Sequence, residues 1–387
     1  MVIFVSQMIL APQLKRNITQ IVVITICFVI INLFIALFND ALIRSHYSEG
    51  PSSLYNFKVS ILINLLIGLV AGILGGIVLV TVNGRYFRKK SFGYAMMSTA
   101  LAFIIVFAIA TMINSGILIY VNLHGPTSFL EFINSTFELI FNISTITYFI
   151  LWLAITLGTL FLLQVNDKFG PGILIKFLKG NYHRPKEEQR IFMFVDMRSS
   201  TTIAEKLGNR LYFNLLSDLF ADITNTIIDH EGEIYQYVGD EVVISWPIKK
   251  GVKNANCIKC YFQIQDTLNN LSSFYNNKYG ISPQLKAGLH HGKVMAGEIG
   301  VIKKDIIYSG DVLNTTSRIQ EQCNQYKVDL LISDETFNII ENPAQFELVP
   351  LGNIELRGRA QKININTVRF LPLNAAKSVR TDVLEQD

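Results

Sequence analysis

The sequence is short of charge for its length. Of its 387 residues, only 17% are charged and 50% are hydrophobic, and the mean hydropathy is +0.35. These values exclude an ordinary soluble protein of this size. Asp, Glu, Lys and Arg are absent from four long stretches, which are residues 21–38, 59–84, 91–130 and 139–166.

Each charge-free stretch holds the roughly 20 apolar residues that a helix needs to cross hydrocarbon. We predict a transmembrane domain over residues 1–166, with helices at about 18–38, 59–84, 92–122 and 139–165 and a turn at "HGPTS", residues 124–128. A transporter or channel would need ionisable residues inside such helices, and the four stretches have none. The lipid bilayer is therefore the first predicted partner.

Lysine and arginine are distributed unevenly between the predicted helices. Lys15 and Arg16 precede the first helix and residues 85–90 include four basic residues, whereas residues 121–138 include none. Because basic residues favour the cytoplasmic side, we predict a multi-pass protein of the inner or plasma membrane with both termini in the cytoplasm.

Cysteine is also scarce. Cys257 and Cys260 form a single CxxC, and the other two cysteines, Cys27 and Cys323, are far from it in sequence. One CxxC without a second pair or nearby histidines does not complete a tetrahedral zinc site. We predict that both thiols are core residues of an amphipathic helix.

The composition changes after residue 166. Residues 167–190 are mixed and charged, which is typical of a juxtamembrane connector, and their basic residues are either the flank of the fourth helix or a signalling element. From 191 to 370, strand and helix patterns follow the order β-α-β-β-α-β, with additional strands. This order predicts an α+β domain of ferredoxin-like topology, with helices on one face of a mainly antiparallel sheet. Residues 371–387 are the predicted C-terminal tail.

Two aspartates are expected to converge at one edge of this sheet. Asp196 ends the buried strand "RIFMFVD", and Asp240 lies at the tip of the hairpin "GEIYQYVGDEVVISW", which should pair beside it. Carboxylates without neighbouring histidine or cysteine suit a hard divalent ion, Mg²⁺ or Mn²⁺, held partly by a substrate phosphate. The alternative is that Asp196 caps the following turn and Asp240 is an ordinary turn residue.

Four segments of this region resemble the class III nucleotide cyclases, the catalytic domains of adenylate and guanylate cyclases. "FVDMRSST" and "YVGDEVV" resemble their two metal-site motifs, "LKAGLHHGKVMAGEIG" their central strand pair, and "YSGDVLNTTSR" their transition-state helix. The four segments occur in the family's order.

The resemblance implies two Mg²⁺ or Mn²⁺ ions per site, held by Asp196, Met197 and Asp240. It also implies a head-to-tail homodimer in which the partner chain supplies Asn314, which orients the ribose, and Arg318, which meets the reacting phosphate. The implied reaction is attack by the 3′-hydroxyl of a nucleoside triphosphate on its own α-phosphate, with release of pyrophosphate. Without the resemblance, Asn314 and Arg318 at this helical spacing fit a surface hydrogen-bonded pair.

Two positions depart from the family pattern. Gln236 stands where adenylate cyclases usually carry lysine and guanylate cyclases glutamate, and Ile307 stands where adenylate cyclases usually carry Asp or Thr. An amide both donates and accepts hydrogen bonds, so Gln236 fits either adenine or guanine. We favour ATP as the substrate, with GTP or a pyrimidine triphosphate as the alternative.

The family usually places a basic residue for the triphosphate in a late turn, which here reads "LRGR". Arg357 or Arg359 is therefore the candidate, unless both are ordinary surface charges. The other function class is a catalytically silent module that binds nucleotide or dimerises. Retention of both metal-site aspartates together with Asn314 and Arg318 argues against that class. No nucleic-acid partner is predicted.

The predicted topology can be tested with reporter fusions. Fusions after Gly84 and after Asn166 should both report the cytoplasm, because basic residues flank those points, and a fusion near Thr127 should report the opposite side. A cytoplasmic signal at Thr127 would contradict the predicted orientation.

Overall fold

The structure is a computed structural model of the chain. It describes residues 12–46, 56–85, 90–123, 129–169, 180, 182–302, 304–355 and 362–370. The chain divides into two units, Met1–Ile175 and Lys176–Asp387. The predicted turn at 124–128, much of the predicted connector, the "LRGR" turn and the C-terminal tail lie outside the described residues.

The first unit is built from helices. Within its described residues these are α1 (Pro12–His46), α2 (Phe57–Arg85), α3 (Phe92–Leu123), α4 (Phe129–Ile140) and α5 (Ile143–Phe169). Four of the helices in this described part, α1, α2, α3 and α5, are long and apolar enough to cross a membrane. Only 6 to 22% of the residues in their most apolar windows are buried inside the structure. Their apolar side chains therefore need an apolar surrounding, which agrees with the four apolar helices predicted from the sequence.

Helices α1 and α2 pack through glycines. A Cβ atom added at Gly72 of α2 would lie 2.7 Å from the Cα atom of Thr25, and one added at Gly68 would lie 2.9 Å from the Cα atom of Val29. No side chain fits in that space, so the two backbones approach each other as they do at small residues in membrane helices.

The short helix α4 was missed by the sequence prediction. It ends at Ile140, and α5 begins at Ile143 rather than at 139. The Asn142 side chain lies between them and caps α5, because its Oδ1 accepts a hydrogen bond of 2.9 Å from the Ser144 backbone N–H. Residues 139–142 carry no charge, so composition alone did not separate the two helices.

The second unit contains a sheet whose strands lie in the order β2-β3-β1-β4-β6-β8-β7, with β5 paired to β4. The strands are β1 (Lys186–Met197), β2 (Glu233–Val238), β3 (Glu241–Pro247), β4 (Leu285–Ile299), β5 (Asp305–Ser309), β6 (Leu330–Ser333), β7 (Phe346–Glu355) and β8 (Lys362–Phe370). The helices are α6 (Ser200–Asp229), α7 (Ile248–Val252), α8 (Asn256–Asn270), α9 (Ser272–Tyr279), α10 (Asp311–Tyr326) and α11 (Asp334–Phe337).

Strands β1 to β4 with helices α6 and α8 follow the predicted β-α-β-β-α-β order, which confirms the α+β fold class. The described strand pairs are antiparallel except β4 with β6, which is parallel. Strand β1 begins at Lys186, inside the segment that was predicted as connector.

Helices cover both faces of the sheet, so the prediction of helices on one face is wrong. Ile191 and Met193 of β1 pack in the cluster that contains α6 and α8. Phe192, between them, points to the opposite face and packs with Val312 of α10. Helix α10 approaches β4 closely at Gly288, where an added Cβ would lie 2.5 Å from the backbone nitrogen of Gln320.

The CxxC thiols are core residues, as predicted. Cys257 and Cys260 lie on α8 with no exposed surface, and both are free thiols. Burial raises the pKa of the Cys257 thiol to about 12, so it is uncharged at neutral pH.

Candidate functional site

Asp196 and Asp240 meet at one edge of the sheet. Asp196 lies near the end of β1, directly opposite Glu241 of β3 in the strand register. Asp240 lies in the turn between β2 and β3, where Gly239 has a φ of 63° that favours glycine. The two carboxyl groups are close enough for Asp196 to raise the pKa of Asp240. The predicted convergence therefore exists within a single chain.

The corner of the sheet formed by Asp196, Asp240 and Glu241, here called the acidic corner, is poorly solvated. Burial raises the pKa of Asp240, and the adjacent Asp196 carboxyl raises it further, while a hydrogen bond with Ser200 acts in the opposite direction. Burial also raises the pKa of Glu241 to about 7, with the charges of Asp196 and Asp240 adding to the effect. Ionising all three groups together is therefore unfavourable without a compensating positive charge.

The Asp196 carboxylate has two donors within its own chain. Its Oδ2 accepts a hydrogen bond of 3.0 Å from Nε2 of Gln320 and lies 3.1 Å from Nζ of Lys286. Lys286 is directly opposite Asp196 on β4, and Gln320 lies on α10. The sequence prediction missed both residues. The available signal was a lysine between the buried Leu285 and Ala287 of an apolar strand, a place where a charge needs a partner.

The site residues fit a hard divalent cation. Within the described residues, no three His, Cys, Asp or Glu side chains are grouped to hold a metal ion by themselves. The buried Oδ2 of Asp240, however, has no hydrogen-bond donor there, and a cation would satisfy it. Mg²⁺ commonly binds one or two carboxylates together with water and phosphate oxygens, so two aspartates suffice. Met197 has its side chain buried in the core, so only its backbone carbonyl is available as a ligand.

Asn314 and Arg318 lie one turn apart on α10, and Asn314 is exposed while Arg318 is half-buried. Within the part of the chain that the structure describes, neither side chain makes a hydrogen bond or an ion pair with the two aspartates. Gln320 faces Asp196, and a helix turns by about 200° over the two residues from Arg318 to Gln320. Arg318 therefore faces away from the carboxylates of its own chain.

Gln236 is exposed on β2, and a bulge in the strand determines the face on which it lies. Ile234 pairs with Ile244 of β3, whereas Gln236 pairs with the adjacent Val243, so Tyr235 is an extra residue between them. Residues two apart in a regular strand share a face, and the bulge breaks that rule. Gln236 therefore lies on the α10 side of the sheet, the face to which Val243 belongs.

Ile307 is half-buried on β5, which does not pair with β2 in the sheet. Their neighbours in sequence nevertheless join the two strands. The Tyr308 backbone N–H donates to the Tyr235 hydroxyl at 3.2 Å, and the two rings lie 4.9 Å apart. Arg190, which is 1% exposed, lies beneath them with its guanidinium 4.6 Å from the Tyr308 ring centre. These three residues, for which the sequence predicted no role, join β2 to β5 beside Gln236 and Ile307.

A cavity of about 300 Å³ lies elsewhere on the second unit and contains none of the predicted site residues. It is lined by Gln189, His290, His291, Gly292, Lys293, Asp311, Val312 and Glu335. The two arginines predicted to contact a triphosphate, Arg357 and Arg359, lie outside the described residues.

Comparison with known proteins gives the family. Residues 183–370 match the sequence model described as the adenylate and guanylate cyclase catalytic domain. This region is a class III cyclase domain. The resemblance stated from the four motifs is thereby confirmed.

Proteins named adenylate cyclase and a protein named guanylyl cyclase are both similar to this domain. Adenylate cyclase 2 of Rhizobium meliloti (strain 1021) is 35% identical over 206 residues, which cover 53% of this chain and 57% of that protein. Adenylate cyclase of Anabaena cylindrica is 25% identical over 181 residues, covering 46% of this chain and 36% of that protein. Retinal guanylyl cyclase 2 of Homo sapiens is 25% identical over 168 residues, covering 43% of this chain and 15% of that protein. The chain thus spans about half or less of the length of these relatives.

Among solved structures, the adenylyl cyclase CyaB from P. aeruginosa is similar to this chain with a TM-score of 0.44 and 19% identity. The similarity covers 49% of this chain and 98% of that one.

Removing the charge of Asp240 should stabilise the cation-free protein. The pKa of Asp240 is raised in the folded state, so the folded protein loses stability as the pH rises through that pKa. We expect Asp240→Asn in EDTA to raise the thermal midpoint at about pH 8, and the increase should shrink as the pH falls below the raised pKa, where the wild-type carboxyl is protonated. Scanning fluorimetry of the full chain measures this, with the exposed Asp266→Asn as control. A lower midpoint for Asp240→Asn at the higher pH would contradict the repulsion.

Proposed function

We propose that the protein is a membrane-anchored adenylate cyclase that converts ATP to 3′,5′-cyclic AMP and pyrophosphate. One observation carries the proposal. In a domain of the cyclase family, Asp196 and Asp240 converge at a sheet edge while Arg318 of the same chain faces away from them. Each chain therefore holds two separate halves of the implied site, and a second copy would join them.

In the proposed reaction, the 3′-oxygen of ATP forms a bond to the α-phosphorus, the bond to the pyrophosphate oxygen breaks, and the hydroxyl proton is released. Mg²⁺ or Mn²⁺ ions at Asp196, Asp240 and the Met197 carbonyl would lower the pKa of that hydroxyl and neutralise the triphosphate. Arg318 of the second chain stabilises charge on the reacting phosphate, since a planar guanidinium offers several donors. Asn314 beside it orients the ribose.

Exposed apolar residues support the homodimer. The hairpin of β4 and β5 ends in Ile299, Val301 and Ile302, which are 60%, 93% and 104% exposed. Consecutive apolar side chains at a hairpin tip favour burial against another protein surface. A closed two-fold pair of chains would bury both tips and form two equivalent sites.

Two features bear on the choice of base. The most extensive of the reported similarities is to a protein named adenylate cyclase, which favours ATP. Gln236 is exposed on the α10 side of the sheet, so its amide is available to an adenine edge. GTP is the second candidate, because the same amide accepts from guanine and a guanylyl cyclase is among the relatives. Arg357 or Arg359 would contact the triphosphate.

The apolar helices would place this activity at a membrane. We assign residues 1–166 to the anchor, the stretch from 167 to the start of β1 at Lys186 to the connector, and the chain from there to 370 to catalysis, with 371–387 as a tail. The uneven distribution of Lys and Arg supports a cytoplasmic catalytic domain and cytoplasmic termini at the inner or plasma membrane.

Turnover by the full chain in nanodiscs tests the proposal. With Mn²⁺ and each of ATP, GTP, CTP and UTP in turn, we expect cyclic nucleotide mainly from ATP. Asp196→Asn and Asp240→Asn should remove nearly all turnover while leaving the fold intact, because each amide loses charge but little volume, and Asp266→Asn should match the wild type. Activity within about tenfold of wild type, roughly 1.4 kcal/mol, would mean that the site lies elsewhere. No product from any nucleotide would favour the silent module.

Mixing two inactive variants tests the shared site. Asp240→Asn and Arg318→Ala should each be inactive alone, whereas a mixed dimer retains one site built from intact residues of both chains. With random pairing, about half of the dimers are mixed and each has one working site, so the ceiling is about a quarter of wild-type turnover. Product formation by the mixture measures this. No recovery despite demonstrated subunit exchange would place all four residues in one chain's site.

A further inference from the structure

One oxygen of Asp196 is already occupied by its own chain. Lys286 and Gln320 both contact Oδ2, at 3.1 Å and 3.0 Å. Lys286 is 8% exposed and Gln320 is 3% exposed, so water competes little for either donor. The contacts therefore restrain the Asp196 side chain, which leaves Oδ1 as the oxygen available to a cation.

The fold holds both donors in place. Lys286 faces Asp196 across the β1–β4 register, so the distance between them is set by backbone pairing. Gln320 reaches Asp196 because α10 lies directly on Gly288, where any side chain would collide with its backbone. Both contacts thus come from rigid elements of the sheet and helix rather than from loops.

The charge of Lys286 also bears on the acidic corner. Asp196, Asp240 and Glu241 lie together there, and Lys286 acts against the raised pKa of Glu241. A buried ammonium beside a cation ligand repels an incoming cation, in proportion to both charges and inversely to their distance. Lys286 therefore does two things at once: it orients one ligand and makes the site less attractive to a bare divalent ion.

We propose that Lys286 and Gln320 are positioning residues that hold Asp196 so that only one of its carboxylate oxygens binds a cation. The charge of Lys286 also weakens the binding of a divalent cation until a nucleoside triphosphate binds. The weakening ends when the nucleotide binds, because the negative charge of its triphosphate offsets the positive charge of Lys286. This inference rests on the proposed function for its cation and nucleotide.

Binding of Mn²⁺ alone provides a test that is independent of turnover. Mn²⁺ is titrated into the full chain in nanodiscs without nucleotide, and free Mn²⁺ is measured by electron paramagnetic resonance. Removing the ammonium in Lys286→Met should tighten binding by about threefold or more, whereas Lys286→Arg, which keeps charge and donors, should bind as the wild type does. The matched control is Lys293→Met on the same strand, whose exposed ion pair with Glu187 spans 2.9 Å. It should leave Mn²⁺ binding unchanged.

The turnover number kcat measures whether Lys286 positions Asp196. Lys286→Met should lower kcat by about 10- to 100-fold, as loss of a partner that orients a metal ligand commonly does, and Lys286→Arg should restore most of it. If Lys286→Met does not fold, the near-isosteric Gln320→Glu serves instead. It adds a negative charge beside Asp196 and should likewise tighten Mn²⁺ binding.

Equal Mn²⁺ affinity in the wild type and the folded Lys286 or Gln320 variant, or no Mn²⁺ binding by either chain, would overturn the charge role. An effect of the same size in Lys293→Met would also overturn it. Tighter binding with unchanged kcat would overturn the positioning role. A wild-type chain without turnover would contradict the proposed function, while the Mn²⁺ comparison would still decide the role of the Lys286 charge.

Discussion

The electrostatic repulsion between the carboxylates of Asp196 and Asp240 constrains how the surrounding cyclase domain is built. Asp196 and Asp240 are brought together by strand pairing and a tight turn, in surroundings that solvate charge poorly. The fold supplies a buried lysine, an amide and a hydroxyl around them. This partial compensation leaves one buried oxygen of Asp240 without a donor. Among the described residues, the chain therefore keeps an incompletely neutralised group of carboxyl groups that a bound cation would stabilise, which is the reverse of what stability alone would favour.

The same sheet explains why Arg318 faces away from the two aspartates of its own chain. Helix α10 needs one side for contact with β4, where Gly288 and Gln320 meet. The side that carries Arg318 is then turned outwards by helical geometry. The exposed hairpin tip at Val301 and Ile302 adds a second unpartnered feature to the same domain. Both features are consistent with the proposed pairing of two copies of the chain.

Much of this architecture could be predicted because it depends on local patterns. Charge-free runs gave the four apolar helices, and alternating elements with turn residues gave the order of the sheet. The second covered face could have been predicted too, since "IFMFV" is apolar at every position and such strands are buried on both sides. Lys286 and Gln320 were different, because their contact with Asp196 depends on the strand register and on the height of a helix above the sheet. No spacing along the chain encodes either quantity.

The bulge at Tyr235 has a consequence for how such domains diversify. Tyr235 is an additional residue between Ile234 and Gln236. The alternation of side chains between the two faces of the sheet is therefore reversed after it. Deleting or adding a single residue there would change which side chain of β2 occupies the position of Gln236 on the α10 side of the sheet. With the role proposed for Gln236, substrate preference would depend on the length of this strand as well as on its residue types. An alignment that places a gap one position away would match a different residue of β2 to the position of Gln236.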